Sequence, residues 1–443
     1  MKVAIIGSGP TGLSTAYILS KAGVTVDIYE KDKVVGGLAR SISLWDEQVE
    51  LGPHFLKEDL ESSVGKLLHD IMQDDELIKY ERLTRIYAHD MFLNYPPSAK
   101  NFLSTLGSKK TIITGLSFMQ AKLKPVKNNY SVESYIKKQL GNYLYLNFFK
   151  EYTEKLWGVD CAVIDENYAI SMIGFGDLTL QKIFQKFFTK TNTQLHKKCI
   201  YPRGGMSALW NRLKMKIQEH GGKFFFSADI KNISSKGDKL TGIELTDQSP
   251  NDYDYIISTI AETALLKMIP VADKSVIDQL VGIRYRSVIA VFLKIDHCNF
   301  LEDNCIYLYS KKIQATRITN YDRFQNKPGN NILMIEYWVN GDDALWNYTE
   351  DQIIAVVKKD ISALPNGNNV RIIKSNIIKL KNAFPIPFIG LKDIKHNASS
   401  YLNKFEGLVI AGRANQNNFN YGMEEAIAEG IYKAEEILKN MKK

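Results

Sequence analysis

The sequence lacks the features that define several classes of protein. It contains no run of about eighteen apolar residues, so we expect no membrane-spanning helix. The apolar run at its start is short and breaks at once into a glycine turn, which is unlike a signal peptide. Cysteine is scarce and no CxxC pair occurs, so we predict neither structural zinc nor a disulfide framework, and a reducing cytoplasm fits this usage. The four cysteines are Cys161, Cys199, Cys298 and Cys305.

A strong charge of one sign is also missing. The formal net charge of +8 is modest for 443 residues, and no concentrated basic patch interleaved with aromatic residues indicates a nucleic-acid-binding protein. The densest basic stretch runs from Lys109 to Lys127 and is mixed with apolar residues. It favours a solvated helix face, with a site for an anionic substrate or peripheral contact with an acidic membrane as alternatives.

The first residues carry a dinucleotide-binding motif. A short apolar strand, Val3–Ile6, leads into Gly7, Gly9 and Gly12, and the pattern predicts a helix over residues 11–22. Gly7 permits a tight turn, Gly9 lets the backbone approach a pyrophosphate, and Gly12 allows the helix to pack closely on the strand. The start of the helix then presents free N–H groups and the positive end of its dipole to the phosphates.

An acidic residue and a second glycine pair complete this motif. The apolar run Val24–Tyr29 ends in Glu30, whose carboxylate can accept hydrogen bonds from a ribose 2′-OH. The pair Gly36-Gly37 follows six residues after Glu30, and nicotinamide-binding folds do not normally carry it. A second complete GxGxxG motif for a nicotinamide nucleotide is absent. The sequence therefore predicts bound FAD.

Predicted strands of the nucleotide-binding type lie at the beginning, middle and end of the chain. Residues 61–190 are mostly helical in pattern, and residues 285–340 are rich in alternating β-forming residues. The length suggests two domains. We predict an α/β fold in which a discontinuous Rossmann-type FAD-binding domain holds an inserted substrate domain, built from a helical block and an antiparallel β-sheet. The predicted FAD-binding domain comprises residues 1–60, 195–270 and 395–443, and the substrate domain comprises the helical insert 61–194 and the β-rich segment 271–394.

Five motifs carry a resemblance that extends over nearly the whole chain. Besides the N-terminal glycines they are Leu51–Phe55, Tyr152–Gly158, Thr316–Ile318 with Phe324, and Gly412-Arg413 with Asn420–Met423. With the interleaved domain order, these motifs resemble the FAD-dependent amine oxidase superfamily, and within it the branch of the protoporphyrinogen oxidases and UDP-galactopyranose mutases. The stretch Tyr-Thr-Glu-Lys-x-Trp-Gly is fairly specific to this branch.

The resemblance implies roles for individual residues. Gly52-Pro53-His54 would pass over the flavin face, and the helix after Tyr421-Gly422-Met423 would direct its dipole at the charge that a reduced flavin accumulates. The implied cofactor-binding residues are Gly7, Gly9, Pro10, Thr11, Gly12, Glu30, Lys31, Gly37, Leu38, Arg40, Gly52, Pro53, His54, Ile230, Gly412, Arg413, Tyr421, Gly422 and Met423. The implied catalytic residues are His54, Trp157, Arg317 and Tyr421, and the implied substrate-binding residues are Lys57, Trp157, Arg203 and Arg317.

Several of these residues also have a structural interpretation. His54 can be interpreted as a hydrogen-bonded structural histidine and Trp157 as a core residue. Arg317 can be interpreted as one partner of a surface ion pair. Tyr421 fits a packing role, and Arg203 would approach the flavin through its backbone rather than its charge.

Three functional hypotheses remain open. None includes a metal, and the two enzymatic ones have a small-molecule substrate. The first is a nucleotide-sugar mutase, in which the reduced flavin N5 attacks the anomeric carbon while cationic side chains clamp the diphosphate. Two departures from the mutases are Leu56-Lys57, where a second histidine is usual, and Gly422, where an acid usually precedes the methionine. The second hypothesis is an oxidoreductase of the protoporphyrinogen oxidase, amine oxidase or desaturase type, with a more apolar cavity. The third is a non-catalytic flavin-bearing scaffold.

Overall fold

The chain forms two compact units, each made of separate stretches of sequence. The first unit comprises Met1–Lys79, Cys199–Ile283 and Leu391–Lys443, and the second comprises Tyr80–Lys198 and Arg284–Gly390. Residues 61–79 and 271–283, which we predicted to lie in the inserts, belong to the first unit. The computed structural model describes residues 1–59, 61–95, 99–123, 129–173, 197–246, 248–270, 272–297, 301–326, 329–416 and 421–441.

A five-stranded sheet with parallel neighbours forms the centre of the first unit. Its interior strand Lys2–Ile6 is buried from Val3 onwards, as expected where helices cover both faces of a parallel sheet. The strands in spatial order are Lys223–Phe225, Thr25–Tyr29, Lys2–Ile6, Tyr255–Ser258 and Leu408–Ile410. Strands from the beginning, middle and end of the chain thus pair in one sheet.

The helix Pro10–Lys21 packs against the C-terminal helix Met423–Met441. Gly430 permits this close approach, because a Cβ atom there would lie 2.1 Å from Ser14 Oγ. Thr15 Oγ1 donates a hydrogen bond to the Gly430 carbonyl oxygen at 3.0 Å.

The first unit also contains shorter helices and strands. The other helices are Ser63–Ile71, Met206–Glu219, Glu262–Lys267, Lys274–Val281 and Leu391–Leu402. The other strands are Ser41–Leu44, Glu47–Glu50, Leu56–Lys57, Ile230–Lys236, Lys239–Leu245 and Gln248–Asp252, with Leu77–Arg82 and Lys197–Pro202 at the unit boundaries.

A seven-stranded mixed sheet forms the centre of the second unit. In spatial order its strands are Ile372–Pro385, Tyr285–Ile295, Ile332–Val339, Arg317–Asn320, Cys305–Leu308, Thr84–Ala88 and Met91–Asn94. The helix Glu350–Ser362 buries Ile353, Val357 and Ile361 in the apolar core that this sheet lines.

The other helical segments of the second unit are Ala99–Leu123, Val132–Leu140, Asn142–Leu144, the π-helix Tyr145–Phe149, Lys150–Trp157, Glu166–Ile173 and Tyr321–Gln325. Short 3-10 turns in the two units span Gly37–Ala39, Asp74–Glu76, Ala344–Asn347, Gly367–Asn369 and Arg413–Asn415.

The main difference from the predicted secondary structure lies in residues 77–94, which we expected to be part of a helical block. They form the strands Leu77–Arg82, Thr84–Ala88 and Met91–Asn94. Thr84–Ala88 pairs in parallel with Cys305–Leu308, which lies far along the chain. Such long-range pairing outweighs a local pattern. Residues 174–190 of the predicted block, together with Cys298, lie outside the described residues.

Among the helices of the described ranges, none is both long enough and apolar enough to cross a membrane.

Candidate cofactor and active site

Each glycine of the first motif has a different structural environment. Gly7 has a φ of +100°, and a Cβ atom on it would lie 2.5 Å from Thr259 Oγ1. A Cβ atom on Gly12 would lie only 2.0 Å from the Gly7 carbonyl oxygen, so close packing requires glycine there. A Cβ atom on Gly9, by contrast, would meet no heavy atom within 4 Å. Gly9 therefore borders open space at the start of the first helix.

The start of the helix Pro10–Lys21 suits an anionic group. Gly9 is its N-cap, no side chain caps it, and its first turn carries no acidic residue. The orphan N–H groups and the positive end of the helix dipole therefore face the open space beside Gly9. This cradle fits the pyrophosphate of a dinucleotide.

Glu30 is held in place by groups of the same unit. Its Oε2 accepts hydrogen bonds from the Ser8 backbone N–H at 2.8 Å and from Ser8 Oγ at 2.7 Å. Its Oε1 accepts a hydrogen bond from the Asp32 backbone N–H at 2.9 Å. The carboxylate thus sits at the end of the second strand with its orientation fixed, where a ribose hydroxyl would meet it. The contribution of Ser8 was not predicted from the sequence.

The second glycine pair packs onto the first motif. Gly36 has a φ of +104°, and a Cβ atom on it would lie 2.5 Å from the ring of Trp210, whose Nε1 donates a hydrogen bond to the Ala39 carbonyl oxygen at 2.8 Å. A Cβ atom on Gly37 would lie 3.3 Å from the Gly9 Cα atom. The pair therefore brings the turn of residues 36–39 against Gly9. Leu38, in that turn, is half exposed.

The segment around His54 is anchored by a buried carboxyl group. The His54 backbone N–H donates a hydrogen bond to the Gly52 carbonyl oxygen at 2.8 Å. A Cβ atom on Gly52 would lie 3.4 Å from His54 Nε2. Glu50 precedes this segment and accepts hydrogen bonds from Tyr201 Oη at 2.7 Å and from the Met206 backbone N–H at 3.1 Å. Burial raises the pKa of Glu50 to about 7. No local pattern in the sequence distinguished Glu50.

Glu429 joins the parts of the C-terminal motif. It accepts hydrogen bonds from the Gly412 backbone N–H at 2.8 Å, from Gln416 Nε2 at 2.6 Å and from the Tyr421 hydroxyl group. Burial and this carboxylate raise the pKa of Tyr421, so its hydroxyl stays protonated. Glu429 was not predicted, and Asn420, the first residue of the predicted C-terminal motif, lies outside the described residues.

The start of the helix Met423–Met441 is acidic. Glu424 and Glu425 lie in its first turn, and the Gly422 backbone N–H donates to Glu425 Oε2 at 2.9 Å. These carboxylates offset the positive end of the helix dipole. Lys57, which we predicted to bind substrate, forms an ion pair with Glu424.

Most of the remaining predicted residues of the first unit lie at its surface or at the ends of strands, and Thr11 lies inside the first helix. Arg40 pairs with Asp32. Arg203 is exposed, and its Nε donates to the Asp75 carbonyl oxygen at 2.7 Å. The others are Ile230, which begins a strand, Pro53, which is half-buried, Thr11, which is buried, and Lys31 and Arg413, which are exposed.

Trp157 lies in the second unit and is buried between aromatic rings. Its ring meets Tyr168 and Trp338 edge to face, with centroid separations of 5.3 and 5.4 Å. Arg286, which is also buried, donates from Nε to the Leu156 carbonyl oxygen at 2.9 Å and so caps the helix that ends at Trp157. The positioning role of Arg286 was not predicted.

Arg317 lies in the second unit and is already paired. Its Nε and Nη2 donate to both oxygens of Glu336, with 2.7 Å for the Nη2 contact. The Glu336 side chain is only 3% exposed. Such bidentate pairing holds the pKa of Arg317 well above its usual value. Glu336 is therefore the ion-pair partner of Arg317, which we predicted to bind the substrate through its diphosphate.

The predicted site residues are divided between the two units. His54, Tyr421, Lys57, Arg203 and every predicted cofactor-binding residue belong to the first unit. Trp157 and Arg317 belong to the second unit.

Known proteins resemble this chain over most of its length. A family model described as "Flavin containing amine oxidoreductase" matches residues 10–438. The chain is 21% identical to the coproporphyrinogen III oxidase of Staphylococcus aureus (strain NCTC 8325 / PS 47), over 98% of each protein. It is 24% identical to the 1-hydroxycarotenoid 3,4-desaturase of Flavobacterium sp. (strain P99-3), over 58% of this chain and 56% of that relative. The solved structure of a reduced UDP-galactopyranose mutase shares the fold with a TM-score of 0.81 at 18% identity, covering 99% of this chain and 96% of the mutase.

These comparisons confirm several predictions. FAD is the cofactor, as the glycine motifs indicated, and the chain is an enzyme with an α/β fold of the flavoenzyme type.

Proposed function

Because the chain belongs to the flavin-containing amine oxidoreductase family, we propose that it is an FAD-dependent oxidoreductase whose substrate has an extended apolar surface and no diphosphate. Bound FAD supplies an isoalloxazine ring that accepts a hydride equivalent. The chain binds the cofactor, holds the substrate and excludes water from the reacting atoms. In the first unit, the cradle at Gly9 would take the pyrophosphate, and Glu30 would take the ribose.

The main support for this proposal is that the cationic side chains that could bind a diphosphate already have partners in the protein. A diphosphate clamp needs cationic side chains that are available to the ligand. Lys57 is paired with Glu424, and Arg40 is paired with Asp32. Arg203 donates to a backbone carbonyl oxygen.

Arg317 makes the strongest case, because its partner is buried. Moving Arg317 onto a phosphate would leave the Glu336 carboxylate buried without its partner, which typically costs about 3–5 kcal/mol. The binding of a diphosphate to Arg317 would have to offset this unfavourable free energy. The geometry therefore favours a substrate that does not need these cations.

The acidic start of the C-terminal helix supports the same conclusion. A mutase must keep its flavin reduced, and a positive helix end would stabilise the added negative charge. Glu424 and Glu425 weaken that effect here. An enzyme that passes its electrons on to an acceptor holds the reduced flavin only between its two half-reactions, so it depends less on this stabilisation.

Aromatic side chains of the second unit support an apolar substrate. Tyr152 stacks on Tyr309 with a centroid separation of 3.8 Å, and Tyr95 lies 5.0 Å from Tyr307. Burial raises the pKa of the Tyr152 and Tyr309 hydroxyls, so these side chains stay uncharged. We therefore propose substrates of the kind named for the relatives, a reduced tetrapyrrole or a polyene.

A nucleotide-sugar mutase is the second candidate. The likeness in fold to the reduced UDP-galactopyranose mutase favours it. In that case Arg317 would exchange Glu336 for a substrate phosphate.

One experiment separates the two candidates. The holoenzyme is mixed without oxygen with coproporphyrinogen III or a hydroxycarotenoid, and separately with UDP-, GDP- and dTDP-hexoses, with and without dithionite. We expect the first group to bleach the flavin absorbance without dithionite, and we expect no furanose product from the second. Free FAD at the same concentration controls for uncatalysed oxidation. A furanose product that forms only with dithionite would overturn the proposal in favour of the mutase.

A further inference from the structure

The helix Ala99–Leu123 exposes apolar side chains. Gly107, with a φ of +76°, interrupts it, and we call residues 108–123 the outer helix. Four apolar side chains on the outer helix are between 57% and 78% exposed. These residues, which we call the exposed stripe, are Ile112, Leu116, Met119 and Leu123. Their spacing of four, three and four residues places them on one helix face.

The opposite face of the outer helix is polar and packed. Thr114 is only 7% exposed, and Ser117 Oγ accepts a hydrogen bond from the Tyr143 backbone N–H at 2.9 Å. A Cβ atom on Gly141 would lie 2.8 Å from the Ser117 carbonyl carbon, so the backbones approach closely. An ordinary surface helix buries its apolar face and exposes its polar face. Here the large apolar side chains of the exposed stripe face solvent, while Thr114 and Ser117 lie on the packed face.

The segment around the outer helix carries charge of one sign only. The whole chain has 49 acidic residues, yet residues 91–132 contain none. Lys109 and Lys110 are exposed on the outer helix, and Lys122 Nζ lies 5.3 Å from the Phe118 ring centroid. The lysines of this segment are Lys100, Lys109, Lys110, Lys122, Lys124 and Lys127, of which Lys124 and Lys127 lie outside the described residues.

We propose that the exposed stripe docks on an anionic lipid surface. Its apolar side chains would enter the boundary between headgroups and acyl chains, and Lys109, Lys110 and Lys122 of the outer helix would bind lipid phosphates. A second copy of the chain would bring two acid-free lysine segments together, and their repulsion opposes that pairing. Charge therefore favours lipid over self-association. The inference does not depend on the proposed reaction.

Vesicle flotation of the full-length holoenzyme tests the inference. Vesicles of phosphatidylcholine alone are compared with vesicles of an equal mixture of phosphatidylcholine and phosphatidylglycerol. We expect binding to the mixed vesicles to be at least about tenfold stronger and to weaken as salt is added. The stripe variant Leu116→Ser/Met119→Ser should lose about tenfold or more of that binding. Its matched control Val281→Ser/Ile373→Ser changes apolar side chains that are 60% and 50% exposed elsewhere, and it should bind as the unchanged protein does.

Charge is tested with neighbouring lysines. Lys109→Gln/Lys110→Gln should weaken binding about twenty-five-fold, because each lysine contributes about fivefold. Lys358→Gln/Lys359→Gln, an exposed pair on the helix Glu350–Ser362, should not weaken it. The flavin spectrum and melting temperature verify that each variant is folded. Equal binding to both vesicles, binding to neither, or a stripe variant that only converts a dimer to a monomer would overturn the proposal.

Discussion

The ammonium group of Lys155 donates a hydrogen bond to the carbonyl oxygen of Ala315 at 3.0 Å. It also donates to three further backbone carbonyl oxygens, those of Leu308, Ser310 and Ile313. One side chain of the helix Lys150–Trp157 therefore holds the segment that leads into Arg317. Burial lowers the pKa of Lys155 to about 8, so it remains largely charged at neutral pH. The motif that carries the family resemblance thus anchors the strand of Arg317.

Replacing Lys155 should loosen that segment. We expect Lys155→Met to lower the free energy of unfolding by about 2–4 kcal/mol, because buried carbonyl oxygens lose a charged donor. Urea unfolding measures the change. Lys150→Met on the same helix is the matched control, because the Lys150 ion pair with Glu154 is partly exposed and should contribute less than about 1 kcal/mol. Equal losses in both variants would show that the four carbonyl contacts do not stabilise the fold.

The parts of the fold that could be predicted are those with local patterns. The strand Lys2–Ile6, the helix Pro10–Lys21 and Glu30 follow from glycine spacing and apolar runs. The resemblance to the FAD-dependent amine oxidase superfamily is likewise confirmed by the family match. The strand Thr84–Ala88 could not be predicted, because its partner Cys305–Leu308 is distant in sequence.

The site shows the same division between local and long-range signals. Gly36 was predicted from its place in a motif, but the ring of Trp210 that requires glycine there comes from another helix. No local pattern distinguishes Glu50 or Glu429 from the acidic residues near them in sequence, and only the fold brings their hydrogen-bond donors to them. Arg317 was predicted as a phosphate ligand because nothing local reveals Glu336 as its partner.

Gly9→Ala should weaken cofactor binding while leaving the fold intact. The added methyl group would enter the open space in which we place the pyrophosphate. We expect the FAD dissociation constant to rise about tenfold or more, which corresponds to about 1.4 kcal/mol. Titration followed by flavin fluorescence measures the change, and circular dichroism reports the fold. Gly115→Ala on the outer helix also adds a methyl group in open space and should leave FAD affinity unchanged. Unchanged affinity in Gly9→Ala would place the pyrophosphate elsewhere.

Glu50 should make stability depend on pH. Its pKa is raised from 4.5 to about 7 in the folded state, so the fold retains a proton that the unfolded chain releases between these values. Its contribution to stability is therefore fully present below pH 4.5 and is lost as the pH rises to about 7. We expect Glu50→Gln to remove this dependence, so its stability relative to the unchanged protein should rise by on the order of 3 kcal/mol across that window.

Urea unfolding at several pH values tests the role of Glu50. Glu61→Gln, at a side chain that is 94% exposed, is the control and should not alter the pH dependence. A Glu50→Gln variant that keeps the pH dependence of the unchanged protein would contradict the assignment.

The ion pair of Arg317 and Glu336 should behave as one buried unit. Arg317→Met leaves the Glu336 carboxylate buried without its partner, so we expect the free energy of unfolding to fall by about 3–5 kcal/mol. The double variant Arg317→Met/Glu336→Met removes both charges and should recover most of that loss. Urea unfolding of the single and double variants gives the coupling. Lys216→Met, at the exposed pair with Glu219, should cost less than about 1 kcal/mol. If Arg317→Met instead keeps its stability and loses only the binding of a nucleotide sugar, then Arg317 is a phosphate ligand and the mutase becomes the better assignment.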